Sequence, residues 1–175
     1  MSRFVPLIFF VALAGLLYLG LGRDPTAMPS ELIGRSMPAF DLPDLFDEER
    51  RVQEDVFTGE VTLLNVWATW CPTCYVEHKE LLALQQQGVR IVGMNYKDDP
   101  VEARRVLAET GDPYAINFVD LNGGFGIHLG VFGAPETFLV DRQGMIRHRH
   151  VGAIDQQVWA LEFEPLYRQL MEEGS

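Results

Sequence analysis

Short apolar runs alternate with amphipathic stretches along most of the chain, which predicts strands alternating with helices. A short strand is predicted to end at Pro43, and a charged loop or turn follows it as far as Gly59. Two runs on either side of the turn at 142–144 predict a hairpin near the C-terminus. Three further runs, rich in β-branched residues, predict buried strands at 61–67, 89–96 and 116–120.

Two clear helix signals fill the intervals between these strands. Residues 73–87 lack glycine and proline, carry leucines at helical spacing and stop before a glycine. The second helix is predicted to begin after the N-cap residue Asp99, with Pro100 at its first position and Glu102 completing a capping box. Gly111 is predicted to end it.

The C-terminal third adds two weaker helix signals. The glycine-rich segment 123–131 predicts at most a short helix. From Asp155 the apolar spacing predicts an amphipathic closing helix that is interrupted near Pro165. Strands alternating with helices, then a hairpin and a final helix, predict one α/β domain whose early strands are parallel.

The N-terminus has a different pattern, because the nineteen residues from Phe4 to Gly22 carry no charge. This length is just sufficient for a helix that crosses a hydrocarbon core of about 30 Å, and Arg3 before it favours a cytoplasmic N-terminus. A cleaved signal peptide is the alternative, since Ala12-Leu13-Ala14 resembles a cleavage site. The sequence therefore predicts a single-pass membrane anchor at 1–23, a linker at 24–36 and one exported domain at 37–175.

Composition narrows the possible functions. The chain is 47% hydrophobic, so the domain can bury a substantial core. Its formal net charge of -11 repels phosphate backbones, and nucleic-acid binding is therefore not expected.

The two cysteines, Cys71 and Cys74, stand where a predicted strand meets a predicted helix. A zinc site would need four ligands, and only His78 stands near the pair, so no metal is predicted. Covalent haem attachment would require a histidine at position 75, which is Tyr75. A structural staple remains an alternative, although so short a loop gains only about 2 kcal/mol.

A redox pair explains the position of the cysteines better. At a helix N-terminus the backbone N–H groups and the helix dipole stabilise a thiolate, which makes Cys71 the predicted nucleophile. Cys74, one turn into the helix, is predicted to be less exposed and to resolve the mixed disulfide. Pro72 is tolerated in the first helical turn and stiffens the loop. Such exchange needs no cofactor, and none is predicted.

The stretch VWATWCPTC contains the W-C-x-x-C signature of the thioredoxin superfamily, and GAPETF at 133–138 resembles its cis-proline loop. The resemblance implies a thioredoxin-like α/β fold, with a central mixed sheet flanked by helices. It also implies that Pro135 is cis and lies beside the dithiol, and that Ala134 offers its backbone to a substrate strand. Trp70 is predicted to flank the dithiol and to contact substrate, whereas Trp67 is predicted to belong to the core.

More specifically, the chain resembles the membrane-anchored thiol:disulfide interchange proteins of cytochrome c maturation, the CcmG/DsbE family. The matching stretches are WCPTCYVEH, IVGMNYKDD, GVFGAPETFLVD and IRHRHVG. The resemblance implies a protein disulfide reductase in the bacterial inner membrane, with its domain in the periplasm. It implies a membrane thiol-transfer protein of the DsbD/CcdA type as electron donor. Apocytochrome c, or one of its maturation proteins, is then the partner that is reduced.

The resemblance also assigns two acidic site residues, Glu77 and Glu136. Ordinary thioredoxins carry a buried aspartate six positions before the first active cysteine, where this chain has Asn65, which cannot titrate. Glu77 follows Cys74 by three positions on the same helix and is predicted to replace that aspartate as proton carrier. The alternative interpretation is that Glu77 is a solvent-exposed charge on the helix surface. Nearby carboxylates and burial disfavour a thiolate, which favours a reductant.

Two other functions remain possible at this point. One is a general exported thioredoxin-like reductant, and the other is a module that binds apocytochrome without turnover. A peroxidase is disfavoured because a peroxidatic site normally has threonine at the position of Ala68. His78 is predicted to be a hydrogen-bonded helix residue without a catalytic role.

Overall fold

The computed structural model describes residues 9–10, 13–15 and 32–173. Most of the predicted membrane anchor and of the predicted linker therefore lies outside the described residues. Within those residues, no helix combines the length and the apolar character that crossing a membrane requires. The end of the predicted linker, residues 32–36, contacts the domain: Gly34 N donates to Ile146 O at 2.7 Å, and Ser36 forms a β-bridge with Met145.

A five-stranded mixed sheet forms the centre of the domain, in the order β5-β4-β3-β6-β7. Strands β3, β4 and β5 are parallel to one another, and β6 and β7 are antiparallel additions, as the predicted hairpin requires. A separate antiparallel pair consists of β1 (Asp41–Pro43) and β2 (Arg51–Gln53). The sheet strands are β3 (Thr62–Trp67), β4 (Arg90–Tyr96), β5 (Ile116–Asp120), β6 (Glu136–Val140) and β7 (Ile146–Val151).

The helices match the predicted positions closely. Pro165 removes a backbone N–H directly after a π-helical segment, which accounts for the interruption predicted in the closing helix. The helices are α1 (Pro72–Gln86), α2 (Pro100–Thr110) and α3 (Gly124–His128), followed by a closing helix made of α4 (Gln156–Val158), a π-helical segment (Trp159–Phe163) and α5 (Glu164–Glu172).

Two local predictions were wrong. The charged segment before Gly59, predicted as a loop or turn, contains the strand β2 as well as a 3-10 turn at Glu54–Phe57, because Val52 and Phe57 are buried among polar neighbours. The capping box of α2 does not form either. Asp99 does cap the helix by accepting from Val101 N at 2.8 Å, but its own N–H donates to Asp98 Oδ1, and the Glu102 carboxylate pairs with Arg105.

Hydrophobic clusters cover both faces of the sheet. One face packs around Leu64, Met94 and Phe138, beneath the β1–β2 pair and α3. On the other face, α1 and the closing helix bury Leu81, Phe163 and their neighbours. A smaller cluster on that second face surrounds the cysteines, and its members are Leu45, Trp67, Ala68, Cys71, Cys74, Ala103, Leu107 and Val119. The dithiol is thus part of the core at the carboxyl end of the parallel strands, where function collects in open α/β sheets.

Candidate active site

Cys71 and Cys74 lie at the junction between β3 and α1. Cys71 is the N-cap residue of α1 and Pro72 is its first helical residue, as the sequence predicts. The two sulfurs form a disulfide, with the Cα atoms 5.4 Å apart. Cys74 N donates to Cys71 Sγ at 3.1 Å, so a backbone N–H of the helix terminus points at the predicted nucleophile. After reduction the same group can stabilise a thiolate on Cys71.

Both cysteines are buried, and their order of exposure differs from the prediction. Cys71 is 2% exposed and Cys74 7%, so the expectation that Cys74 is the less exposed residue was wrong. The reason is the loop around Ala134, whose carbonyl oxygen lies 3.3 Å from Cys71 Sγ. Cys74 instead lines a small cleft between α1 and α2.

The loop that covers Cys71 has the predicted conformation, because the Ala134-Pro135 peptide bond is cis. Glu136 holds this loop from beneath: its Oε1 accepts from Phe132 N at 2.8 Å and from Gly133 N at 3.4 Å. Its Oε2 accepts from Arg149 Nη2 at 2.6 Å and Nε at 3.0 Å. Glu136 is only 1% exposed, so it shapes the loop instead of offering a carboxylate to solvent.

Glu77, three positions after Cys74 on α1, is also buried. It is 1% exposed, and the alternative of a solvated helix charge was therefore wrong. Its Oε1 accepts from Asn65 Nδ2 and its Oε2 from Ile154 N, both at 3.0 Å. Burial raises the pKa of Glu77 to about 7, against the opposing effect of these two hydrogen bonds. A carboxylate with only neutral donors can exchange a proton near neutral pH, and it lies directly against the asparagine that stands in the usual aspartate position.

One supporting residue was missed from the sequence. Asp98 is 8% exposed and its carboxylate accepts from both Thr69 N (2.7 Å) and Thr69 Oγ1 (2.6 Å). Asn95 Nδ2 donates to it as well, at 2.7 Å. Since Thr69 precedes Cys71 by two positions, Asp98 fixes the approach to the nucleophile. Its place just beyond the carboxyl end of β4 was the available signal.

The aromatic and histidine neighbours of the dithiol lie largely as predicted. Trp67 belongs to the core, at 5% exposed. Trp70 is 51% exposed, and its Nε1 donates to Lys97 O at 3.0 Å, which leaves much of the indole available on the surface. His78 Nε2 lies 3.1 Å from both Gly111 O and Thr110 Oγ1, so it is hydrogen-bonded within the helix packing.

Comparison with known proteins agrees with this geometry. The redoxin family model matches residues 32–170. The thiol:disulfide interchange protein DsbE of Pseudomonas aeruginosa is 50% identical over 169 residues, which cover 97% of this chain and 94% of that protein. This chain belongs to the DsbE family of redoxins. The Escherichia coli K12 member is 48% identical over 177 residues, covering 98% of this chain and 96% of that protein.

Solved structures give the same fold. A thiol:disulfide interchange protein of the thioredoxin family from Chlorobium tepidum superposes with a TM-score of 0.61 at 19% identity, over 78% of this chain and 95% of that one. Family membership together with the Cys71–Cys74 pair assigns thiol–disulfide oxidoreductase activity to this chain. The redox interpretation of the two cysteines is thereby confirmed, and the structural staple is rejected.

Proposed function

We propose that this protein is a reductant that acts outside the cytoplasm and reduces the C-x-x-C-H disulfide of apocytochrome c, directly or through a maturation partner. The surroundings of the two sulfurs support the proposal that the dithiol donates electrons. Both cysteines are buried, and the contact of Cys71 Sγ across the site is the carbonyl oxygen of Ala134 at 3.3 Å. The Cys74 N–H can stabilise a thiolate on Cys71, but burial and the facing carbonyl oppose it. A dithiol whose thiolate is only weakly stabilised is a good electron donor.

The reaction proceeds in two exchange steps. In the first, the Cys71 thiolate attacks a sulfur of the substrate disulfide, and one substrate thiolate leaves and takes up a proton. In the second, Cys74 gives up its proton and attacks Cys71 Sγ, which releases the other substrate sulfur. Two electrons pass to the substrate, and the Cys71–Cys74 disulfide of this structure is the product. Glu77 accepts the Cys74 proton in this scheme.

The remaining parts of the proposal concern location and partners. The uncharged segment within 1–23 holds the protein in the bacterial inner membrane as a single-pass anchor, and the domain faces the periplasm. A membrane thiol-transfer protein of the DsbD/CcdA type restores the reduced dithiol. The half-exposed Trp70 and the loop at Ala134 and Pro135 form the surface that meets the substrate segment.

The test is to trap the mixed disulfide in the membrane. Cys74→Ser keeps the nucleophile and removes the resolving thiol, so partners should remain covalently attached through Cys71 and be released by dithiothreitol. The matched control, Cys71→Ser, should trap none of them. Partners are identified by mass spectrometry of bands that appear only without reductant.

Three outcomes are informative. Recovery of apocytochrome c or a cytochrome-maturation protein supports the proposal. Recovery of unrelated exported proteins without any of these would show a general exported reductant instead. Equal, non-covalent recovery of apocytochrome with both variants would show a binding module without turnover.

A further inference from the structure

A single row of residues runs straight across the sheet on the face beneath α1 and α2. The strand register pairs His150 with Thr137, Thr137 with Asn65, Asn65 with Gly93, and Gly93 with Asn117. These positions alternate with the apolar positions of the opposite face, and four of the five side chains are polar. Glu77 joins the row from above, through its hydrogen bond with Asn65.

Tyr114, from the loop between α2 and β5, lies over the middle of this row. A Cβ atom at Gly93 would be 2.9 Å from Tyr114 Cγ, so the ring occupies the space that a side chain at position 93 would need. The ring stacks on Trp67, with centroids 5.6 Å apart and planes 21° from parallel. In this position the Tyr114 hydroxyl donates to Asn65 Oδ1 at 2.8 Å.

The hydrogen bond from Tyr114 fixes the orientation of the Asn65 side-chain amide. Because Tyr114 donates to Oδ1, the amide nitrogen faces Glu77 Oε1 and Thr137 Oγ1, both at 3.0 Å. The opposite orientation of the amide would place Oδ1 against the Glu77 carboxylate. Donors aligned toward a charge strengthen one another, and they stabilise the ionised form of the group at the end.

The hydroxyl can act as this donor throughout the working pH range. Burial raises the pKa of Tyr114 well above its usual value, and the charges of Glu77 and Asp112 add to this effect, so the hydroxyl stays protonated. Tyr114 also lines the cleft between α1 and α2 together with Cys74. The cleft has room for about one water molecule.

We infer that Tyr114 is a positioning residue for proton transfer at Cys74: acting through Asn65, it stabilises the ionised Glu77 that accepts the Cys74 proton. This inference rests on the part of the proposed function that makes Glu77 the proton acceptor. In the resolving step the S–H bond of Cys74 breaks, the proton moves to the Glu77 carboxylate, and the sulfur electron pair forms the bond to Cys71 Sγ.

Other titratable groups on the surrounding elements must be separated from Glu77 in a pH experiment. Burial is the largest cause of the raised pKa of Glu77, and the hydrogen bonds from Asn65 and from the backbone of Ile154 oppose it. The groups to be separated are Cys74 and His78 on α1, Tyr114 and Asp112 after α2, His150 on β7, and Glu162 of the closing helix, which accepts from His150 Nδ1 at 2.9 Å.

The experiment measures how the rate of the resolving step depends on pH in the full chain. A mixed disulfide between Cys71 and a model peptide thiol is prepared, and release of the peptide is followed between pH 5 and 9. Tyr114→Phe keeps the stacked ring and removes only the hydroxyl. In the variant, the pH at which the release rate is half-maximal should lie about 0.5 to 1 unit above that of the wild type. Below this midpoint, release should therefore be roughly 3- to 10-fold slower, whereas the maximal rate at high pH should be unchanged.

Two variants make the result decisive. Glu77→Gln should abolish the midpoint in the pH dependence of release. Tyr167→Phe, at a tyrosine that packs on Trp159 in the closing helix, should leave this midpoint unchanged. If Glu77→Gln abolishes the midpoint and Tyr114→Phe does not move it, the positioning role is overturned and the Glu77 role stands. If the wild-type midpoint survives in Glu77→Gln, the Glu77 role itself fails. A purely structural role of Tyr114 would lower the melting temperature without moving the midpoint.

Discussion

Two buried carboxylates belong to the helix and the loop that contain or contact the dithiol, and their hydrogen-bond partners differ in kind. Glu77, on α1, and Glu136, directly after the cis-proline, are each 1% exposed. Glu136 has a full counter-charge, because Arg149 donates to it twice and its other oxygen accepts from the loop backbone. Among the residues that the structure describes, the partners of Glu77 are the Asn65 amide and the backbone N–H of Ile154.

The difference shows that two equally buried carboxylates can have very different electrostatic surroundings. A buried carboxylate beside a guanidinium forms an ion pair whose main effect is to fix geometry, here the loop that covers Cys71. A buried carboxylate with neutral donors gains less from ionisation, and accordingly burial raises the pKa of Glu77 to about 7. The family resemblance assigns both residues to the site, and the structure gives them different partners.

The largest effect is expected from breaking the ion pair. Arg149→Met removes the donors but keeps an apolar chain against the Phe132 and Phe138 rings, and it leaves Glu136 buried without its counter-charge. We expect the free energy of unfolding in urea to fall by about 3 to 5 kcal/mol. The control Arg168→Met breaks an exposed pair with Glu164 and should cost well under 1 kcal/mol. Equal losses of unfolding free energy in the two variants would show that the buried pair contributes no more to stability than the exposed one.

A smaller loss is expected on the Glu77 side from Gly93→Ala. The new Cβ would lie 2.7 Å from Asn117 Oδ1 and 2.9 Å from Tyr114 Cγ, so the ring must move away from Asn65. We expect a loss of about 2 to 3 kcal/mol in the free energy of unfolding. The control Gly124→Ala, whose Cβ would have no heavy atom within 4 Å, should change it by less than about 1 kcal/mol. Similar changes in the free energy of unfolding for the two variants would show that the Tyr114 ring can move away at little cost.

The smallest effect is a difference in pH dependence. The pKa of Glu77 is about 7 in the folded protein against 4.5 in the reference state, so its stabilising contribution is fully present below pH 4.5 and is lost as pH rises through 7. Glu77→Gln removes this dependence. Between pH 5 and 8 the free energy of unfolding of the variant should therefore rise by about 2 kcal/mol relative to the wild type. Parallel curves for the two proteins would contradict a raised pKa.

Local signals in the sequence predicted most of the fold. The parallel strands, the hairpin, α1 with Cys71 at its start and the break near Pro165 all follow from short patterns of apolar, glycine and proline residues. What escaped depends on contacts between distant segments. Val52 and Phe57 make a charged stretch part of the core, and Asp98 binds Thr69 across 29 positions. The partner of Glu136 comes from β7, thirteen positions away, and no local pattern marks it.

The close contact between Gly93 and Tyr114 also constrains how this sequence can diverge. A larger residue at position 93 fits only after the Tyr114 ring has been lost and the Asn117 side chain has moved or changed, because a Cβ there would be 2.9 Å from the ring and 2.7 Å from Asn117 Oδ1. Substitutions at the two positions should therefore be strongly epistatic, with the order of changes deciding whether each intermediate folds. Among descendants of this sequence, glycine at 93 should persist for as long as tyrosine does at 114.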